Sequence, residues 1–288
     1  MTGADDLLTM ARSDSRNRSL VLLLPGITAN RQQWSAVISR LADVPADIAH
    51  GAPILPSPAM AARVPTVTQV IEALAGELRR RAYDHVVIVS HSVGSFVALG
   101  IAHVLPDGVD HLILINGGLT SVARFLDRPV HEILTRPVAC LTFVRLFALV
   151  ALPAPERLRR AAVNHRWFSQ AVLGTYVSDS AIATQEKRSA LLDGAGRPEV
   201  VPSLWKNRHH WREFISYADD IRTDALFVVG SKDPMSTEQD TRAMAALLPS
   251  ASVRLLRGIG HAAPLEAAEV IAGLVRKAVG APESRLGD

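Results

Sequence analysis

Only one cysteine, Cys140, occurs among 288 residues. No internal disulfide can form, so the fold must rest on its own core, and a reducing setting, the cytoplasm, is expected. Cys140 lies in an apolar stretch and reads as a buried structural thiol. Charge of one sign is equally scarce: 31 Lys and Arg stand against 28 Asp and Glu, too small an imbalance to support nucleic-acid binding. Residues 1–19 contain no apolar core of signal-peptide length, which predicts no secretion, and they read as a short polar arm. The longest apolar stretch, VACLTFVRLFALVAL at 138–152, is interrupted by Arg145 and bounded by Pro137 and Pro153. It falls short of the ~20 residues that a bilayer requires, so stable membrane insertion is not expected and a buried or interfacial helix is. There is no internal repeat and no low-complexity tract.

What is present is enough apolar material, 48% of residues, to bury a full core in one large domain. Residues 20–24 are a compact apolar run stopped by Pro25 and Gly26, the pattern of a strand covered on both faces. Asn30, with Gln33 three residues on, predicts a capped helix whose Trp34, Val37, Ile38 and Leu41 share one face. A short strand near Ile48 is followed by a proline-rich loop. Thr66 with Gln69 predicts a second capping box, opening a helix with Val67, Val70, Ile71, Leu74 and Leu78 at helical spacing. Residues 86–89 and 111–115 supply further strands, with a helix after Ser92 between them. Strands alternating with helices imply a parallel sheet. From about 119 to 218 the alternation gives way to irregular helices and prolines, then resumes with ALFVVGSKDP, a helix near 240–248, the strand SVRLL and a terminal helix. The expected architecture is therefore an α/β domain, a mostly parallel central sheet flanked by helices, with core residues 1–118 and 219–288 and an inserted helical cap at 119–218.

In open parallel sheets the chemistry lies at the carboxyl ends of the strands. The residues just past the apolar runs are Pro25-Gly26-Ile27, Ser92, Asn116, Asp233 and His261. A serine, an acid and a histidine in that chain order, with the serine in SHSVG between a strand and a helix, match the nucleophile-elbow arrangement. GSKDP and GIGHAAPLE match the acid and base loops. The sequence thus resembles the α/β-hydrolase family, from about residue 20 to 279. Two positions depart from the family pattern: Ser90 stands for the first glycine of Gly-x-Ser-x-Gly, and Pro25-Gly26 for the usual His-Gly. Gly26 is expected to permit an unusual backbone turn.

The resemblance implies Ser92 as nucleophile, His261 as general base and Asp233 as the acid that orients it, with the backbone N–H groups of Ile27 and Val93 forming an oxyanion hole. A serine hydroxyl is a weak nucleophile until an imidazole takes its proton, and the imidazole needs an acid to hold its tautomer. Asp107 and Asp110 precede their strand and are expected to be remote. Ser90, Ser231 and Ser236 read as structural, and His91 is expected to point away from the chemistry. In WKNRHHW, at 205–211, the adjacent His209 and His210 do not share the spacing that aims two ligands one way, so no metal is expected, and the hydrolase resemblance implies no cofactor. Phe143 and Phe147 are candidate substrate contacts. The activity implied is hydrolysis of a carboxylic ester, thioester or lactone through an acyl-enzyme, on a small to medium apolar molecule. A carbon–carbon bond hydrolase, an acyltransferase and a ligand-binding protein on the same scaffold are the alternatives.

Overall fold

The computed structural model describes residues 8–14, 16–27, 29–51, 66–118, 128–135, 155–174, 177–178, 183–192 and 210–281. The strands are β1 (Leu8–Arg12), β2 (Ser19–Leu24), β3 (Asp47–Gly51), β4 (His85–His91), β5 (His111–Ile115), β6 (Asp224–Gly230) and β7 (Ala251–Leu256). They form a seven-stranded sheet in the order β1-β3-β2-β4-β5-β6-β7. All neighbours are parallel except β1, which runs antiparallel to β3 at the edge. Its presence corrects the expectation of a short polar arm: Leu8 is buried, and the Arg12 guanidinium donates to the carbonyls of Leu41, Ala42 and Ala46.

The parallel strands are apolar because both of their faces are covered. On one face Leu20, Leu22 and Leu24 meet α2 (Val67–Arg81) and α3 (Gly94–Val104). On the other, Val21 and Leu23 meet Trp34, Val37 of α1 (Ser35–Ser39) and Ile271 and Val275 of the terminal helix Ala268–Val279. The capping box of α2 forms as expected: Thr66 Oγ1 accepts from Gln69 N at 3.1 Å and Gln69 Oε1 from Thr66 N at 2.9 Å. The Asn30 cap forms differently. Its side chain accepts from Gln32 N at 2.9 Å and opens a 3₁₀ turn, Arg31–Trp34, which turns Gln33 into the interior instead of back to the cap.

Between β5 and β6 the described segments are helical: α4 (Pro129–Thr135), α5 (Glu156–Asn164), α6 (Arg166–Leu173), α7 (Gln185–Leu192) and α8 (His210–Tyr217). The apolar stretch at 138–152, with Cys140, Phe143 and Phe147, lies outside the described residues, as does most of WKNRHHW. The chain then completes the sheet with α9 (Glu238–Ala245) between β6 and β7, and a short helix α10 (Ala263–Glu266) before the terminal one. No helix among the described residues is long and apolar enough to cross a membrane.

Candidate active site

The carboxyl end of β4 turns directly into α3, and Ser92 occupies the turn with φ 53°. A non-glycine residue in the left-handed region is strained by roughly 1–2 kcal/mol. The strain is held by bonds on either side: Ser92 N donates to Ile115 O at 2.9 Å and Ser95 N to Ser92 O at 2.9 Å. Close packing dictates the small residues around it. A Cβ at Gly94 would lie 2.7 Å from the Pro25 carbonyl oxygen and 2.9 Å from that of Leu24. Ser90, in the place of the motif's first glycine, is fully buried, and its hydroxyl pairs with that of Ser95 at 3.0 Å. The substitution is accommodated by giving the buried hydroxyl a partner.

The three chemistry-bearing side chains converge on this turn. His261, in the loop after β7, places Nε2 3.0 Å from Ser92 Oγ and Nδ1 2.7 Å from Asp233 Oδ2. A carboxylate can only accept, so Nδ1 of a neutral His261 carries the proton and Nε2 presents its lone pair to the serine hydroxyl. Asp233, in the loop after β6, is itself fixed: Oδ1 accepts from Met235 N at 2.8 Å and from Ser236 N at 3.1 Å, and its side chain is wholly buried. Asp110 lies at the other end of the sheet, accepting from Val86 N at 2.7 Å. Ser231 and Ser236 hold loops, accepting from Gly258 N at 2.9 Å and pairing with Thr241 at 3.3 Å.

A cavity of about 60 Å³ opens over Ser92, lined by Gly26, Ile27, His91 and His261 and by the apolar side chains of Leu173, Val177, Leu191 and Met235. Ile27 therefore borders it, and Val93 is the residue after the elbow, at the N-terminal end of α3 where the helix dipole is positive. Among the described residues neither the Ile27 nor the Val93 amide N–H donates to a backbone or side-chain acceptor. Gly26 differs from expectation. Its φ is not in the left-handed region, and what crowds a side chain there is His91, whose Nδ1 would sit 3.0 Å from a Cβ and would have to give slightly.

His91 does not point away. It lines the cavity, and its Nε2 donates to the backbone carbonyl of His261 at 2.7 Å. Burial, with the neighbouring His261 adding to it, pushes its pKa down to about 3, so the ring is neutral. The same carbonyl accepts from Asn116 Nδ2 at 2.7 Å, which also donates to Gly260 O at 3.0 Å, while Asn116 Oδ1 accepts from Gly230 N at 2.9 Å. Asn116 is buried and has φ 48°. On the opposite side of the loop the Glu266 carboxylate accepts from Gly260 N and Ala262 N, each at 3.1 Å. Sequence reasoning passed over His91, Asn116 and Glu266 in these roles. The available signal was the polarity of Asn116 and His91 at the ends of buried strands. Among the described residues no group of three or more His, Cys, Asp or Glu side chains is placed to hold a metal ion.

Solved structures share this arrangement of elements over nearly their whole length. A thermophilic esterase from Thermogutta terrifontis matches with a TM-score of 0.61 at 19% identity, over 94% of this chain and 92% of that one. An N-acyl homoserine lactone degrading enzyme matches at 0.60 and 14% identity, over 94% and 95%. The 2-hydroxy-6-oxo-6-phenylhexa-2,4-dienoate hydrolase of Rhodococcus sp. strain RHA1 matches at 0.61 and 15% identity, over 93% and 92%. No curated protein matches by sequence. At such identities the structural likenesses speak for the fold alone, but the model of the alpha/beta hydrolase family matches residues 21–274, and the chain belongs to that family.

Proposed function

We propose that the protein is a serine hydrolase that cleaves a carboxylic ester, thioester or lactone through an acyl-enzyme. The observation that carries this reading is the continuous chain of hydrogen bonds from Ser92 Oγ through His261 to the buried Asp233. In the mechanism, His261 Nε2 takes the Ser92 proton as Oγ attacks the carbonyl carbon. Asp233 stabilises the imidazolium, and the tetrahedral oxyanion is held by the N–H groups of Ile27 and Val93. His261 then returns the proton to the leaving alcohol or thiol, and water, activated by the same base, hydrolyses the ester on Ser92.

The cavity supports a short apolar acyl group. By the measure in which one water needs about 10–15 Å³, a volume of about 60 Å³ holds roughly four or five heavy atoms. In the same reading residues 119–218 form the cap: Leu173, Val177 and Leu191, which line the cavity, all come from that segment.

The test is Ser92→Ala assayed on acyl esters, together with labelling by a fluorophosphonate probe. A loss of ~10⁴ to 10⁶ in kcat with unchanged thermal stability is expected, since triad members act as a unit. Comparable turnover in variant and parent refutes the assignment.

A further inference from the structure

The loop that carries His261 is restrained differently on its two sides. Toward the sheet, the His261 carbonyl is pinned by His91 Nε2 and Asn116 Nδ2, both at 2.7 Å. Those partners are buried at the ends of β4 and β5, in the fixed frame of the sheet. Toward the cavity, the flanking amides of Gly260 and Ala262 are held by the two oxygens of Glu266, each at 3.1 Å. Glu266 Oε2 has one more donor, Ser178 N at 3.2 Å. Ser178 follows Val177, whose side chain is buried and lines the cavity over Ser92.

One carboxylate therefore joins the wall of the cavity to the backbone on both sides of His261. Resting on the hydrolase reading above, we propose that Glu266 is a positioning residue through which the wall at Val177 sets the aim of the His261 imidazole, so that an acyl chain filling the cavity raises kcat and not only affinity. The physical reason lies in the pinned carbonyl. A displacement of Ser178 reaches Gly260 N through Oε2, and because the His261 carbonyl cannot move with it, the loop tilts about that point. A tilt reorients the ring against Ser92, where a misplacement of about 1 Å costs on the order of 10²-fold in rate. A neutral glutamine cannot do the same work. It offers a single acceptor oxygen to three N–H donors, and its own NH₂ turns toward one of them.

The experiment measures kcat and KM separately for acetyl, propionyl, butyryl, valeryl and hexanoyl esters of one alcohol, in the parent, Glu266→Gln, Val177→Ala and Ser92→Ala. In the parent, kcat should climb from acetyl to about butyryl. Glu266→Gln should lower kcat at every chain length by loosening the loop, and should flatten that climb, with a loss about tenfold larger at butyryl than at acetyl. Val177→Ala, which leaves Glu266 in place, should move the kcat optimum to a longer chain. A uniform fall at every chain length in Glu266→Gln, as from simple loosening, overturns the coupling, and so does a Val177→Ala effect confined to KM. If Ser92→Ala is inactive while the Glu266→Gln profile matches the parent, the coupling alone fails. Turnover surviving in Ser92→Ala removes the hydrolase reading beneath it.

Discussion

Asp233→Asn should cost about 10⁴ in kcat, and the local geometry says why a substitution that preserves size should be so damaging. Asp233 Oδ1 accepts two backbone N–H groups, Met235 at 2.8 Å and Ser236 at 3.1 Å, whereas Oδ2 accepts one, His261 Nδ1 at 2.7 Å. Asparagine has one oxygen to assign. Turned toward His261, it would aim its NH₂ at two amide donors and leave both buried and unpaired, at ~1–3 kcal/mol each. Turned toward the amides, it presents NH₂ to His261 Nδ1, which must then give up its proton. The second arrangement wins by roughly 2–6 kcal/mol, and the proton moves to Nε2, where it faces Ser92 Oγ and cannot be exchanged for the serine's own. The same change in serine proteases costs ~10⁴, or about 5 kcal/mol of barrier. The assay is kcat on a butyryl ester, with unfolding monitored in parallel to separate chemistry from stability. Asp110→Asn is the control: with its carboxylate on Val86 N at 2.7 Å, remote from His261, it should change kcat by no more than about twofold. Activity of Asp233→Asn within tenfold of the parent would show that Asp233 does not set the tautomer and would sink the argument.

Two further outcomes test the packing around the elbow. Gly94→Ala drives a methyl group to within 2.7 Å of the Pro25 carbonyl oxygen; it should destabilise the fold by ~1–3 kcal/mol and lower kcat by displacing Ile27, and unchanged denaturation and turnover would contradict the close approach. The second concerns pH. His91 has an ordinary pKa of 6.5 when unfolded and about 3 when folded, so below pH 6.5 the unfolded chain binds a proton that the folded one refuses. Stability is then fully present above pH 6.5 and falls as pH drops toward 3. By pH 5 the loss from this residue is ~2 kcal/mol, to be read from urea unfolding at pH 7.5 and 5 in the parent and in His91→Gln. An equal loss in both proteins would show that the buried ring is not its source.

Most of the sheet was legible because strands covered on both faces leave unbroken apolar runs, and 20–24, 111–115 and the run in ALFVVG fall inside β2, β5 and β6. The limits of that signal are physical. β4 continues through Ser90 and His91, paired with Leu114 and Ile115, although both residues are polar, because a buried polar side chain with a partner is invisible to an apolar count. β1 was missed for the opposite reason: it is an edge strand, half exposed, with no unbroken apolar run. Ser92, Asp233 and His261 could be picked out because each sits in a local strand-to-turn pattern. Asn116 stood out by the same pattern, but its role and those of His91 and Glu266 were not legible, since their partners are backbone atoms of a loop, and no side-chain type in that loop advertises the contact.

The Pro25-Gly26 turn lies against a ring carried by β4. The His91 ring presses against Gly26, where a Cβ would come within 3.0 Å of its Nδ1, and donates from Nε2 to the His261 carbonyl at 2.7 Å. One buried imidazole thus lies against the loop that carries Ile27 and is bonded to the loop that carries His261. For that it has to be neutral: a second proton would fall on Nδ1, which is buried without a partner among the described residues, and would place a charge beside the ring that, in the proposed mechanism, becomes positive as Ser92 is deprotonated. Burial that drives the His91 pKa to about 3 keeps the two imidazoles, 5.1 Å apart between ring centres, from competing for the same charge. The position next to Ser92, the proposed nucleophile, is therefore held by a residue whose basicity has been removed, leaving its shape and a single donor to organise the two loops on either side of the serine.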